Sequence, residues 1–119
     1  MIQEIDNPED HYGPNEFEVY KDTHLYKAIG KKTSMRGVCY HHQNVKDVPD
    51  WLVVNSIDKG DGTIHGLEYP VSKRKCVMSV LWHPEEVMLR PEFKDNHKIM
   101  KYFISQAKEY QKERLRVDN

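Results

Sequence analysis

The chain has 119 residues, with 18 Lys and Arg against 19 Asp and Glu for a net charge of -1, and a mean hydropathy of -0.83. That length suits one domain, or part of one, rather than two, and the balanced charge gives no long-range field to attract nucleic acid or an anionic membrane. No run approaches the ~20 apolar residues that cross a bilayer, and residues 1–15 are acidic and polar where a signal peptide would be basic and then apolar, so a soluble, cytoplasmic chain is expected.

Met1 to Glu16 is broken by Pro8, Gly13 and Pro14 and carries five acidic side chains, which predicts a loop leading away from a short first element. Phe17, Val19 and Tyr20 form a brief alternating strand, after which Thr23 fits a helix N-cap before Leu25, Tyr26, Ala28 and Ile29, with Gly30 as the stop. Val38-Cys39-Tyr40 reads as a short apolar strand delivering His41-His42-Gln43 into a polar turn. Trp51 to Ile57 is apolar and β-branched, and Asp61-Gly62 joins it to Thr63–Tyr69 as a hairpin.

Cys76 to Trp82 is nearly continuous apolar sequence, which predicts a strand buried on both faces and halted by Pro84. From Asp95 or Asn96, the spacing of Ile99, Met100, Phe103, Ile104 and Ala107 marks one face of a helix packed on the sheet, with fraying from about Glu109.

Cys39 and Cys76 are the two cysteines, and they form no CxxC pair, so a disulfide framework or cysteine-rich zinc site is not expected. Of seven histidines, His41, His42 and His83 have informative neighbours, and the other four are expected at the surface. Adjacent residues at a strand end point to opposite faces, which argues against a metal site built from His41 and His42 with His83. The aromatic residues Tyr12, Tyr26, Tyr69, Trp51 and Trp82 lack the basic stripe of a base-stacking surface and are read as packing.

The chemistry concentrates at His83-Pro84-Glu85, at the end of the predicted strand. Residues two apart can project to the same side, so Glu85 can bond one imidazole nitrogen and aim the other at a nucleophile, as the base and orienter of a triad do. The same spacing also fits an exposed turn without function.

Three ordered segments decide between these readings. Val38-Cys39-Tyr40-His41-His42-Gln43, Asp61-Gly62-Thr63-Ile64-His65 and Ser79-Val80-Leu81-Trp82-His83-Pro84-Glu85 resemble the Asn-Ser-x-His-His-Gln, Asp-Gly-x-Ile-Glu and Gly-Val-Gln-Trp-His-Pro-Glu segments of class I glutamine amidotransferases, in the γ-glutamyl-γ-aminobutyrate hydrolase (peptidase C26) branch. Met1-Ile2-Gln3-Glu4-Ile5 is also similar to a Leu-Tyr-Gln-Asp-Ile that follows the family's nucleophile helix.

The resemblance implies an α/β fold, the C-terminal part of a flavodoxin-like domain with a mixed sheet and flanking helices. Residues 1–119 would then be a partial domain that holds the catalytic His and Glu but not the nucleophile. It implies His83 as general base, Glu85 as its orienting carboxylate, and His41, His42 and Gln43 near a γ-glutamyl substrate or glutamine. No cofactor is implied.

The family's cysteine sits on a Gly-x-Cys-x-Gly elbow, which this sequence lacks; it would come from an upstream segment or a separate chain. Neither cysteine here has an elbow's small neighbours, Cys39 lying between Val38 and Tyr40 and Cys76 between Lys75 and Val77. Val38, Cys39, His65, Ser79 and Leu81 depart from the family's Asn, Ser, Glu, Gly and Gln. Those departures leave open a truncated or degenerate, non-catalytic chain acting as an interaction module.

Overall fold

The computed structural model describes residues 2–4, 12–40, 43–73, 76–87 and 89–118. In chain order its elements are β1 (Ile2–Glu4), β2 (Tyr12–Val19), α1 (His24–Ala28), β3 (Ser34–Tyr40), β4 (Gln43–Val45), β5 (Val53–Asp58), β6 (Ile64–Glu68), β7 (Met78–Val80), α2 (Pro84–Val87), a 3-10 turn (Pro91–Phe93) and α3 (Lys94–Asp118). The larger sheet runs β3-β2-β5-β6-β7 and β1 pairs with β4, and every pairing among the described residues is antiparallel.

β2 begins at Tyr12, so the end of the segment expected as loop is strand. Pro14 is tolerated because β5 covers only Phe17 to Val19 of β2, leaving the proline stretch with β3 as its one described neighbour. Phe17 and Val19 point into the core while Glu16 and Glu18 face solvent, the period-two alternation of a one-sided sheet. With Leu25, Ile29, Met35, Cys39, Trp82 and Ile99 they form one buried cluster.

α1 starts where Thr23 Oγ1 accepts from the Tyr26 amide at 3.1 Å, and Gly30 at φ +86° takes the left-handed step after it. In the β5–β6 hairpin, β5 gains an extra residue between Val54 and Ser56, and β6 between Ile64 and Gly66. These bulges turn Asn55 and His65 inward, both fully buried. Asn55 lies so close over Gly66 that a Cβ there would stand 2.1 Å from Asn55 Oδ1.

Three expectations are corrected. The strand expected over residues 76–82 is paired only at Met78–Val80; it is the sheet's edge, with Ser79 exposed and Val77 45% exposed, because among the described residues no strand lies beyond it. The terminal helix does not bury its whole apolar face: Ile99 is buried, but Phe103 and Ile104 are 56% and 51% exposed, and helix continues to Asp118 instead of fraying from Glu109. Two of the histidines expected at the surface, His24 and His65, are buried. His65 packs tilted against Phe17 at 4.7 Å with its Nδ1 2.9 Å from the Thr63 carbonyl, and His24 Nδ1 is 2.7 Å from the Tyr102 hydroxyl.

Candidate active site

Where β7 ends, Leu81 donates its amide to the His65 carbonyl at 2.7 Å and the chain turns across the sheet. Trp82 is the anchor of that turn. Its indole is buried, stacks on Phe17 at 4.5 Å, and donates Nε1–H to Asn96 Oδ1 at 2.8 Å. It lies flat on β3 at Gly37, where a Cβ would stand 2.7 Å from Trp82 Cδ1 and 2.8 Å from Phe17 Cε2. Any larger residue at Gly37 would push the indole out.

His83 follows and donates its amide to the Val38 carbonyl at 3.0 Å. Pro84 then opens α2, a position where its missing N–H costs nothing, and Glu85 falls in that first turn. His83 Nδ1 and Glu85 Oε1 are 2.8 Å apart, with the side chains 40% and 61% exposed. A carboxylate only accepts, so Nδ1 carries the proton and the ring's basic lone pair is on Nε2. The same hydrogen bond holds the Glu85 carboxyl below the usual carboxylate range. The pair therefore has the geometry of an oriented base.

His41 and His42 lie outside the described residues. The Gln43 backbone is in β4, opposite Glu4 of β1, and its side chain also lies outside what is described. The His83–Val38 bond ties the pair to β3.

Neither cysteine is an activated thiol. Cys39 is fully buried in the core, and burial, reinforced by Asp58 and Asp61, pushes its thiol up to about 12. Cys76 is half-buried and is also pushed up, chiefly by burial and then by Glu68. With thiolate as the reactive form, Cys39 in the folded chain should react with iodoacetamide at pH 8 at least about 100-fold more slowly than in the urea-unfolded chain. Mass-spectrometric counting of labelled sites checks this. Among the described residues no group of three or more His, Cys, Asp or Glu could hold a metal ion, and no helix is long and apolar enough to cross a membrane.

Sequence reasoning missed Asn96 and Glu68. By its spacing Asn96 reads only as a helix start, yet it is fully buried and bonded to Trp82. Glu68 is fully buried at the end of β6 and accepts from the His24 and Leu25 amides and from Asn55 Nδ2. A polar residue inside a predicted helix and a carboxyl closing a predicted strand carry no signal of burial in themselves.

The fold is that of a glutamine amidotransferase domain. A Thermoplasma acidophilum protein assigned as a GMP synthase subunit superposes with a TM-score of 0.75 at 14% identity, over 96% of this chain and 51% of that one. The glutaminase domain of Trypanosoma brucei CTPS, solved with acivicin bound, superposes with a TM-score of 0.67 at 14% identity, over 90% of this chain and 46% of its own. A glutamine amidotransferase from Thermotoga maritima gives 0.54 at 15% identity, over 96% of this chain and 41% of its own.

The Peptidase C26 family matches residues 2–85, and the chain belongs to that family. A Mycobacterium tuberculosis protein assigned to the glutamine amidotransferases is 34% identical over 88 residues, which is 74% of this chain and 25% of that protein. The chain thus spans a quarter of that relative and about half of the solved chains.

Proposed function

We propose that this chain supplies the His/Glu part of a site that hydrolyses γ-glutamyl amides, glutamine among them, through a cysteine thioester. The observation that carries the reading is the 2.8 Å contact between His83 Nδ1 and Glu85 Oε1, which leaves Nε2 as the base. In this mechanism His83 removes the proton of a cysteine thiol and the thiolate attacks the γ-carbonyl carbon. The C–N bond breaks as His83 returns that proton to the leaving amine, and water deprotonated by His83 then hydrolyses the thioester to γ-carboxylate and thiol. Glu85 stabilises the imidazolium formed at each stage. His41, His42 and Gln43 are proposed to face the γ-glutamyl group.

The buried, high-pKa Cys39 and the partly buried Cys76 support placing the thiol outside these 119 residues, in contiguous sequence or in a second chain. A second observation agrees. A groove of about 280 Å³ between Cys76-Val77, just before β7, and Phe103, Ala107 and Tyr110 of α3 leaves apolar surface uncovered. Since the solved relatives have about twice the length matched here, we assign that surface to the rest of an amidotransferase domain. The competing reading, a non-catalytic interaction module, draws on the altered positions Val38 and Leu81 and on His65, which is spent in core packing on Phe17.

Purified alone, the chain is expected to hydrolyse neither glutamine nor a γ-glutamyl anilide above background, with Cys39→Ala and Cys76→Ala indistinguishable from it. Activity in the chain alone that either substitution abolished would overturn the placement of the thiol.

A further inference from the structure

Gly37 and Val38 of β3 touch the step from Trp82 to His83, and Arg36 just before them is bonded to Asn96. The Arg36 carbonyl accepts from Asn96 Nδ2 at 2.9 Å, Gly37 carries the Trp82 indole with no room for a Cβ, and the Val38 carbonyl accepts the His83 amide at 3.0 Å. Asn96 closes this arrangement from α3. It is fully buried and spends its whole amide, Oδ1 accepting from Trp82 Nε1 at 2.8 Å while Nδ2 donates to the carbonyls of Arg36 and, at 3.1 Å, Phe93.

We propose that Asn96 is a positioning residue for the His83–Glu85 pair, acting through the Trp82 indole. The proposal rests on reading that pair as base and orienter. One planar group offering an acceptor and two donors meets the site's demand; Asp offers acceptors alone and Leu neither. A displaced indole cannot be absorbed locally, because His83 is the next residue and the ring of Pro84 fixes the backbone beyond it. The displacement is passed to the imidazole, which must stay within hydrogen-bond reach of Glu85.

The Glu85 side-chain carboxyl reports on this in the 119-residue chain without any need for catalysis, followed by ¹³C NMR against pH. His83→Ala is expected to raise the Glu85 midpoint toward the ordinary carboxylate range, because the hydrogen bond that lowers it is gone. Asn96→Leu and Trp82→Phe, each checked for folding by circular dichroism, are expected to raise it by at least half as much. Asn96→Asp, which keeps an acceptor for the indole, should fall between wild type and Asn96→Leu and serves if the leucine variant does not fold.

A Glu85 midpoint that rises in His83→Ala but stays at the wild-type value in every folded Asn96 and Trp82 variant overturns the proposal and leaves the pair standing. A midpoint unmoved by His83→Ala overturns the pair itself, and the proposal with it.

Discussion

Glu68→Ala is expected to lower the thermal unfolding midpoint of the chain by ~10–20 °C, corresponding to a loss of about 3–5 kcal/mol. The side chain is fully buried, and its two oxygens receive the amides of His24 and Leu25, the latter at 3.2 Å, and Asn55 Nδ2 at 3.0 Å. Glu68 on the sheet thus caps the first turn of α1 from outside the helix. Alanine would strand those donors in the interior, each costing about 1–3 kcal/mol of desolvation, and would leave a cavity besides. Asn55 would also lose the partner that holds it over Gly66. Glu68→Gln should recover only part of the loss, because its NH₂ group must face donors. Circular-dichroism melts give both values, and a fall of under about 1 kcal/mol in Glu68→Ala would contradict this account of the cap.

The second large effect belongs to the proposed chemistry. When the chain is completed by a segment bearing the family's cysteine, His83→Ala is expected to lower kcat for γ-glutamyl anilide hydrolysis by roughly 10²–10⁴-fold, the usual contribution of a positioned acid–base group. KM should change little, since the imidazole is assigned to proton transfer and not to holding the substrate. Glu85→Gln should cost less than His83→Ala: the amide keeps the contact but removes the charge that stabilises the imidazolium, and the carboxylate is already largely in water. Steady-state kinetics on the two variants separate these roles, and equal kcat values for wild type and His83→Ala would rule His83 out as the base.

Local chemistry was legible wherever one residue dictates it. Thr23 as N-cap, Gly30 as helix stop, the hairpin turn through Asp61-Gly62 and the inward alternation of Phe17 and Val19 could each be read from side-chain type, and the structure has all four. Partnership was not legible. The apolar run before Trp82 looks like a central strand, and the stripe on α3 like a fully packed face, because a sequence shows what a surface wants to bury and not whether its cover is present. In the folded chain Val77, Phe103 and Tyr110 are exposed. The bulges at Asn55 and His65 shift the register by one residue on each strand of the hairpin, which no alternation count reveals.

At the site, His83 and Glu85 could be read from spacing and resemblance, and the structure brings them into contact. Their support could not. Asn96 reaches Trp82 across 14 residues of sequence, through a bond that exists only once α3 lies against β3. Cys39 could be read from its large neighbours as lacking an elbow, and the structure adds that it is buried in the core with its thiol pushed up.

His83 is proposed to serve a thiol that these 119 residues do not carry. The most direct measurement mixes the purified chain with a nucleophile-bearing segment from a Peptidase C26 family member and follows γ-glutamyl anilide hydrolysis, with each component alone and a Cys→Ala version of the segment as controls. Aniline release is expected in the mixture only, and none when the segment's cysteine is replaced. Equal activity with the cysteine-free segment would contradict the proposal, as would a mixture shown to form a folded complex that releases nothing.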